Sequence, residues 1–317
     1  MALRRTVPAI VLAPALAFAL CTGPALARTL EVGPGKEFKQ PSDAIAAAHP
    51  GDRVAIQPGE YFDCATVKAG NLVIEGVGDA SKVALTDKAC GGKGILIMTG
   101  SGNTVRNLTL ARARVPDGNG AGIRNEAKDL TVEGVRFINN QNGILSTPAD
   151  LGTLTVRNSV FDRNGFCQDG SGCSHGIYVN QAALVHIENT VFTGTKQGHH
   201  IKSRAARTEV VGCTVQDGPA GTASYLIEAP NGGALVVQNN TLEKGPEAEN
   251  HSAAIVIGSE GVKQPTPEIT ITNNTFRNDG GWQTAFVNNL TATDAVLRGN
   301  KLSGSVKPLN GDGKVTP

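Results

Sequence analysis

Aromatic residues and methionine are scarce in this chain. Its 317 residues include one Trp, three Tyr, nine Phe and two Met, and the formal net charge is +1. Proteins that bind nucleic acid or an anionic membrane usually carry a basic stripe, often with interleaved aromatics. No such stripe is present in the sequence, so we expect neither kind of partner.

The sequence also lacks an apolar run long enough for a comfortable membrane span, which needs about 20 residues. The run Val7–Leu20 is interrupted by Pro8 and Pro14, follows Arg4–Arg5, and precedes the small-x-small segment Ala25–Ala27. This order of a basic head, an apolar body and a small-residue cleavage site is typical of a signal peptide. We predict that residues 1–27 are removed and that the protein is periplasmic or secreted.

Cysteine is sparse as well, and the spacing Cys-x-x-Cys that is typical of metal sites does not occur. Of six cysteines, Cys21 lies in the leader, and six minus one leaves five. Lipid attachment at Cys21 is the less favoured alternative to an ordinary signal peptide, because Leu20 stands where lipoprotein signals have a small residue.

An oxidising compartment would let the remaining cysteines pair. We expect Cys167 and Cys173 to close a local loop and Cys64 to reach Cys90 one coil further along the chain. Cys213 is left over at a position where the repeat places a small side chain, so we interpret it as a buried, inert thiol.

Glycine, asparagine, threonine and valine are abundant and recur in a pattern, apolar-x-Asn/Gly-x-x-apolar. Asn and Gly tolerate a left-handed backbone best, so each copy predicts a short strand, a tight bend and a second strand. The spacing of the copies suits one coil of a β-solenoid. The copies are Ile74-Glu75-Gly76, Val105-Arg106-Asn107, Val132-Glu133-Gly134, Val156-Arg157-Asn158, Ile187-Glu188-Asn189, Val210-Val211-Gly212, Val237-Gln238-Asn239, Ile271-Thr272-Asn273 and Leu297-Arg298-Gly299.

A second set of strands lies between these copies and predicts another face of the coil. Its members are Gly122-Ile123, Gly143-Ile144, Gly176-Ile177, His200-Ile201, Tyr225-Leu226, Ala254-Ile255 and Ala285-Phe286. Stacked coils share one apolar core and pair their backbone groups with the coils above and below. We interpret the repeated asparagines as structural, since their side chains can form a ladder inside the bend.

These patterns predict an all-β fold, a single-stranded parallel β-helix with a short N-terminal capping helix. A leucine-rich repeat is the rival, but its Leu-x-x-Leu-x-Leu frame is missing, and helical periodicity occurs only near Pro41–His49. That helix would cover the open first coil. The predicted domain is 28–317, with a cap and first coil at 28–60, coils at 61–305 and a C-terminal tail at 306–317.

The segment Val32–Lys36, the helix and the segment Gly51–Tyr61 resemble the usual entry into the pectin-lyase-like superfamily of right-handed parallel β-helices. The resemblance covers essentially residues 29–305. It implies a right-handed solenoid and a scaffold shared by polysaccharide lyases, glycoside hydrolases, alginate epimerases and non-enzymatic proteins.

His, Tyr, Lys, Arg and Glu are concentrated in the coils from Cys167 to His251. With Ile201 and Ser203 pointing inward, strand alternation would turn His200, Lys202 and Arg204 outward. Tyr178 would then lie beside Lys202, and Arg124 in the same column. The predicted catalytic residues are Lys202, Arg204, His200 and Tyr178. The predicted substrate-binding residues are Arg124, His175, His199, Tyr225 and Glu228.

Such a column suits an enzyme that acts on an acidic polysaccharide. Abstraction of the C5 proton of a uronic acid requires a base, a cation or metal near the carboxylate and a proton donor for the leaving oxygen. We expect Lys202, crowded by Arg204, to have a lowered pKa and to act as the base. Tyr178 or His200 would donate the proton, and Arg204 would bind the carboxylate bidentately.

The pair Lys202-Ser203 resembles the catalytic coil of polysaccharide lyase family 6, in which a Lys of a Lys-Ser pair is the base. The resemblance carries over to Lys202 alone, because Tyr225-Leu226-Ile227 stands where that family has Arg-His-Gly. No cofactor is predicted; calcium stays open without identifiable ligands, since Thr195–Gly198 offers no carboxylate.

Three alternatives remain open for this cluster. The first is a solvated polar face on a non-catalytic glycan-binding or structural solenoid. The second is hydrolysis by paired carboxylates, for which Glu247 and Glu260 would have to meet in space. The third, less favoured, is zinc binding by His175, His199 and His200, because neighbouring strand residues face opposite ways.

Overall fold

The structure is a computed structural model that describes residues 1–3, 27–168 and 172–317. The predicted leader peptide therefore lies almost wholly outside the described residues. Within those ranges, no helix is long and apolar enough to cross a membrane.

The chain winds through three parallel sheets, which we call A, B and C, with 12, 10 and 10 strands. Each coil contributes one strand to each sheet, and every strand pairs in parallel with its equivalents in neighbouring coils, as the repeat predicts. Sheet A consists of β1 (Thr29–Val32), β2 (Arg53–Ile56), β5 (Val73–Gly76), β8 (Thr104–Arg106), β11 (Leu130–Glu133), β14 (Thr153–Arg157), β17 (Leu184–Glu188), β20 (Arg207–Val211), β23 (Ala234–Gln238), β26 (Ile269–Thr272), β29 (Ala295–Arg298) and β32 (Gly313–Thr316).

Sheets B and C complete the coil. Sheet B consists of β3 (Gly59–Tyr61), β6 (Val83–Thr86), β9 (Thr109–Ala111), β12 (Arg136–Ile138), β15 (Val160–Asp162), β18 (Val191–Thr193), β21 (Thr214–Gln216), β24 (Thr241–Lys244), β27 (Thr275–Asn278) and β30 (Lys301–Ser303). Sheet C consists of β4 (Ala65–Val67), β7 (Gly94–Met98), β10 (Ala121–Asn125), β13 (Asn142–Ser146), β16 (Ile177–Val179), β19 (His199–Ser203), β22 (Tyr225–Ala229), β25 (Ala253–Ile257), β28 (Thr284–Asn289) and β31 (Val306–Asn310). A 3₁₀ turn, Ala80–Lys82, precedes β6.

The bend between sheets A and B has the left-handed backbone that the Asn/Gly pattern predicts. Asn107, Asn158, Asn189, Asn239 and Asn273 have φ between 47° and 58°. Gly76 is the exception among the repeat positions, because its φ is not positive. An L-residue with a longer side chain would be strained at the left-handed positions, which accounts for the restriction to Asn and Gly.

The asparagine ladder is formed by the residue that follows the bend position, one place later than the pattern indicates. Asn240 Nδ2 donates to Asn274 Oδ1 at 2.9 Å, and Asn274 Nδ2 donates to Asn300 Oδ1 at 2.9 Å. Each of these amides also reaches a backbone carbonyl of the coil below, for example Asn240 to Val210 O. The ladder therefore satisfies buried backbone groups at the corner.

The two ends of the solenoid differ: a helix covers the first coils, and further strands extend the last ones. The helix α1 (Pro41–Ala47) lies where predicted, and its Ala44 and Ile45 are part of the core that the first coils enclose. At the other end, β31 and β32 continue sheets C and A. The segment 306–317 is thus largely an additional coil, whereas a tail was expected, because its backbone pairs with the preceding strands.

The register of sheet C corrects the sequence alignment at two coils. Ile123, Ile144, Ile177, Ile201 and Ile255 share one inward column as predicted, and Ile227 and Val287 belong to it. The expected Leu226 and Phe286 are one residue off. The slip arises because Leu226 and Phe286 are apolar and buried too, so hydrophobicity alone does not distinguish the neighbouring positions.

Both predicted disulfides are present, linking Cys64 to Cys90 and Cys167 to Cys173. Cys213 is a free thiol buried in the core, as expected. Burial raises its pKa to about 11, which keeps it protonated and unreactive at neutral pH.

Candidate active site

A cleft of about 500 Å³ opens over sheet C in the region where polar residues are concentrated. It is organised by a register column in which Tyr178, Lys202 and Glu228 are successive partners. The cleft is lined by Gly172, Cys173, His175, Tyr178, Gly198, His199, Lys202, Arg204, Ser224, Glu249 and Glu260. Five of the nine predicted site residues, His175, Tyr178, His199, Lys202 and Arg204, thus come together here.

Lys202 occupies the centre of the cleft between two carboxylates. Its Nζ lies 2.9 Å from Glu228 Oε2 and 2.7 Å from Glu260 Oε1. Burial disfavours the charged ammonium, but the two carboxylates outweigh it and raise the pKa of Lys202. The expected lowering of this pKa is therefore wrong for the substrate-free protein, because Glu228 and Glu260 both contact the ammonium.

Arg204 and Tyr178 form a second contact beside Lys202. Arg204 Nη1 donates a short hydrogen bond to the Tyr178 hydroxyl, and its guanidinium carbon lies 5.0 Å from the centre of the Tyr178 ring. Arg204 Nη2 lies 2.6 Å from Glu260 Oε2. Since the phenolic oxygen accepts from Arg204, its own hydrogen is directed elsewhere and can be donated.

His175 and His199 stack along the wall of the cleft, with ring centres 4.7 Å apart. Backbone amides donate to both Nδ1 atoms, from His199 N to His175 at 2.9 Å and from Tyr225 N to His199 at 3.1 Å. An Nδ1 that accepts carries no hydrogen, so both neutral rings are Nε2–H tautomers. Burial lowers the pKa of both, and neighbouring cations add to this effect at His175.

Glu228 is the best-buried carboxylate of the cleft. Its Oε2 lies 3.0 Å from His199 Nε2 as well as beside Lys202, and its Oε1 accepts from Ser259 Oγ at 2.7 Å. Burial would raise the pKa of this carboxyl, but His199 and Lys202 lower it to about 2. Glu228 is therefore an ionised, fixed partner of Lys202.

His200 is the one predicted catalytic residue that the structure places outside the cleft. It is fully buried and points into the core, where Nε2 lies 2.8 Å from Asp217 Oδ1 and Nδ1 lies 2.8 Å from Thr195 Oγ1. The prediction that it faces outward is wrong, because His200 is as fully buried as Ile201 and its ring packs edge-on against Phe192.

Side-chain size explains this inward position. In earlier coils the residue aligned with His200 is Gly. A Cβ on one of these, Gly143, would lie 2.6 Å from the Phe161 ring. Phe137, Phe161 and Phe192 fill that space as a stack. The equivalent of Phe192 in the next coil is the smaller Val215, which leaves room for the imidazole of His200.

Two predicted binding residues lie at the margins. Arg124 lies in the same column as Tyr178, two coils away, with Leu145 between them. At the usual strand spacing, the backbones of Arg124 and Tyr178 are about 10 Å apart. Arg124 lies 3.4 Å from Glu126. The ring of Tyr225 is tilted against His199 at 5.2 Å, which extends the wall made by the two histidines.

The sequence did not indicate that Glu260 contacts Lys202 and Arg204, because these residues lie 58 and 56 positions away along the chain. The hydrolysis hypothesis pairs Glu260 only with Glu247, which lines a different cleft.

The sequence also did not indicate the roles of the buried Asp217 and Lys244. The Nζ of Lys244 donates to Ser224 O at 2.7 Å. Burial lowers the pKa of Lys244 to about 8. The change from the large Phe192 to the smaller Val215 in the next coil was the sequence signal that could have indicated the inward position of His200.

Among residues 1–3, 27–168 and 172–317, no group of three or more His, Cys, Asp or Glu side chains is arranged to hold a metal ion. His199 lines the cleft, whereas His200 is buried in the core, so the two rings do not share a site. The polar groups of the cleft are instead engaged with one another.

The fold is shared with several solved structures. An alginate lyase from Paenibacillus sp. str. FPU-7 is similar over 90% of this chain and 99% of its own, with a TM-score of 0.65 and 18% identity. A pectin methylesterase from Aspergillus niger is similar over 82% and 87%, with a TM-score of 0.54 and 15% identity. Pectate lyase Pel9A is similar over 89% and 78%, with a TM-score of 0.53 and 13% identity.

No curated protein is significantly similar to the chain in sequence. Residues 169–315 match the family described as "Right handed beta helix region". This match includes most of the cleft, and the solved structures extend the likeness to nearly the whole chain. The chain is therefore a right-handed parallel β-helix with the pectin-lyase-like fold.

Proposed function

We propose that this is an exported carbohydrate-active protein, a lyase or C5-epimerase that acts on an acidic polysaccharide bound over sheet C. One observation carries the proposal: an ammonium, a guanidinium and a phenol, those of Lys202, Arg204 and Tyr178, meet in one open cleft. Two structures of similar fold are named as an alginate lyase and a pectate lyase, which supports a polysaccharide as the substrate.

The proposed reaction begins with the uronate carboxylate held by Arg204. Lys202, as a neutral amine, takes the C5 proton, and the electrons of the broken C5–H bond form the C4–C5 double bond. The C4–O bond breaks with its electron pair on the glycosidic oxygen, which receives the proton of the Tyr178 hydroxyl. In the epimerase variant the C4–O bond stays intact, the electron pair of the broken C5–H bond is held as an enolate of the carboxylate beside Arg204, and a proton from solvent water returns to C5 on the opposite face.

Lys202 must lose a proton before it acts as the base. Glu228 and Glu260 hold it in the charged form in the substrate-free protein. Burial opposes this charged form and favours the neutral amine, but the two carboxylates outweigh it and raise the pKa of Lys202. The base is therefore expected to form only after substrate rearranges the cleft.

A non-catalytic glycan-binding protein is the second candidate. The observation that favours it is the charge balance of the cleft, in which both cations are already paired with carboxylates. Under this alternative the same residues bind an acidic glycan, and no bond of the sugar changes. Turnover separates the two functions.

The test mixes the purified protein with alginate, pectate, hyaluronan, chondroitin and bacterial acidic exopolysaccharides. Elimination produces an unsaturated uronate, which is followed by its ultraviolet absorbance, and epimerisation incorporates solvent deuterium at C5. We expect one of these signals in the wild type and its loss in Lys202→Ala, by about 10²- to 10⁴-fold as for removal of a general base. Lys263→Ala, which removes an exposed lysine, is the matched control.

Tyr178→Phe separates the two reactions. A lyase would lose most of its activity with this variant because the leaving oxygen is no longer protonated. An epimerase retains the C4–O bond and has no leaving group to protonate, so we expect it to keep its activity in this variant. If the protein binds a polysaccharide measurably but produces neither the ultraviolet signal nor the deuterium signal on any of them, catalysis is rejected in favour of the glycan-binding alternative.

Export is part of the proposal and has its own test. The leader pattern of residues 1–27 and the two disulfides support passage into an oxidising compartment. Mass spectrometry of the protein from the periplasm or medium should find a chain that begins at Arg28. An uncleaved chain retained in the cytoplasm would contradict export.

A further inference from the structure

The carboxylate of Glu260 spans the two cations of the cleft. Its Oε1 lies 2.7 Å from Lys202 Nζ, and its Oε2 lies 2.6 Å from Arg204 Nη2. Each oxygen thus serves one cation. A uronic acid carries the same group, and charge-assisted contacts of this kind are among the stronger polar interactions available to it.

The other carboxylate that contacts Lys202 is held quite differently. The Glu228 side chain is 5% exposed and contacts Ser259, His199 and Lys202. The Glu260 side chain is 40% exposed and touches only the two cations through its oxygens in the described structure. Of the two carboxylates, Glu260 is therefore the one that an incoming anion can replace.

The backbone that carries Glu260 does not need to move for this replacement. Glu260 N donates to Pro230 O at 2.9 Å, and Gly258 N donates to Ala229 O at 2.9 Å. Asn231 Nδ2 donates to Gly261 O at 3.1 Å on the other side of the turn. Because the turn is anchored, a rotation of the exposed side chain is sufficient, and such rotations take picoseconds to nanoseconds.

We propose that Lys202 and Arg204 form a carboxylate-binding subsite that Glu260 occupies in the substrate-free protein, and that a hexuronate carboxylate enters by displacing the Glu260 side chain. This inference rests on the proposed function, since it concerns how the acidic sugar is received. Glu260 then acts as a specificity-determining residue, because a neutral sugar offers nothing to replace its two ionic contacts.

The displacement also links binding to chemistry. When Glu260 leaves, the substrate carboxylate takes its place at Lys202 and Arg204, so the C5 hydrogen is held beside the proposed base. A tethered carboxylate competes with substrate at an effective concentration in the millimolar range. Removing it should therefore strengthen binding of an acidic oligosaccharide by roughly tenfold or more.

Calorimetric titration with oligogalacturonate and oligomannuronate tests this competition. Glu260→Gln is expected to bind the better of the two ligands about tenfold more tightly than the wild type does. Glu249→Gln removes the same charge from the same cleft without touching the cations, and we expect it to resemble the wild type. Equal or weaker binding by Glu260→Gln, or the same gain in both variants, would overturn the proposal.

A crystal structure of Glu260→Ala soaked with galacturonate provides a test that does not depend on turnover. The carboxylate of the sugar should lie between Lys202 Nζ and Arg204 Nη2. An empty position at saturating galacturonate would overturn the subsite even if the wild type cleaves a polysaccharide. A bound carboxylate together with no turnover on any polymer would retain the subsite and reject catalysis.

Discussion

His200 Nε2 and Asp217 Oδ1 lie 2.8 Å apart, and neither side chain is exposed to solvent. Asp217 also accepts from Gly245 N at 3.1 Å, so the pair joins two successive coils. A buried charge that loses its partner is costly, whereas a partly exposed pair contributes little. The inward His200 is thus a structural element of the solenoid beneath the cleft.

We predict that His200→Ala lowers the free energy of unfolding by about 3–5 kcal/mol, because the buried Asp217 Oδ1 loses its imidazole partner and keeps only the Gly245 amide on its other oxygen. His186→Ala is the control. His186 also pairs with a carboxylate, Glu209, at 2.8 Å, but both side chains are partly exposed, so its loss should cost less than about 1 kcal/mol. Urea unfolding measures both. Equal losses in the two variants would contradict the special role of the buried pair.

We predict that Arg204→Lys raises the KM for the acidic polysaccharide about tenfold or more. The planar guanidinium of arginine can contact the Tyr178 hydroxyl and a carboxylate, that of Glu260 or of the substrate, at the same time, whereas the ammonium of lysine has no such planar group. Steady-state kinetics on the polymer identified by turnover measures this. Arg207→Lys, on sheet A with Glu209 and Glu268, is the matched control and should leave KM unchanged. A normal KM in Arg204→Lys would exclude Arg204 from carboxylate binding.

His175 and His199 should make the protein sensitive to acid. Their pKa values are lowered in the folded state, so the unfolded state binds more protons as the pH falls below the ordinary histidine value of about 6.5. The stability that they provide is complete above that pH and is lost below it, by up to about 1.4 kcal/mol per pH unit for each histidine.

His175→Asn tests this effect, because the amide oxygen of Asn can replace Nδ1 as acceptor for the His199 backbone amide. We expect unfolding midpoints measured from about pH 7 to about pH 5 to fall less steeply in the variant than in the wild type. Glu228 does not obscure the comparison, since its lowered pKa affects stability only below about pH 4.5. Parallel curves would refute the assignment.

The thiol of Cys213 should be replaceable by a hydroxyl. Its Sγ lies 3.4 Å from Val211 O, and the hydroxyls of Ser159 and Thr190 make the same contact two residues back in earlier coils. Cys213→Ser should therefore change the free energy of unfolding by less than about 1 kcal/mol. Cys213→Leu, which overfills the core, should cost about 1–3 kcal/mol. A thiol reagent should label the wild type only after unfolding.

The two disulfides should differ in their contribution to stability. Cys64 and Cys90 are separated by 26 residues, and Cys167 and Cys173 by 6. Loop-closure entropy gives about 3.5 kcal/mol for the first and about 2 kcal/mol for the second. Thermal unfolding of the paired Cys→Ser variants checks the order. A larger loss for the shorter loop would contradict the entropic account.

The fold followed from local sequence because each coil repeats the same physical requirements. Asn or Gly is needed where φ is positive, as at Asn239, and an apolar residue is needed where the strand faces the core, as at Ile201. These requirements concern a few neighbouring residues, so the pattern alone predicted a parallel β-helix and its capping helix. It also indicated that Tyr178 and Lys202 lie side by side, since their coils are consecutive.

Three features were decided only by the tertiary structure. His200 faces inward because Val215 leaves space for it, and Glu260 reaches Lys202 from a turn 58 residues away. The pKa of Lys202 is raised by its contacts with Glu228 and Glu260, whereas the sequence predicted that it is lowered. The physical reason is common to all three: packing volume and electrostatics depend on atoms that meet in space, and a sequence pattern records only those that are neighbours along the chain.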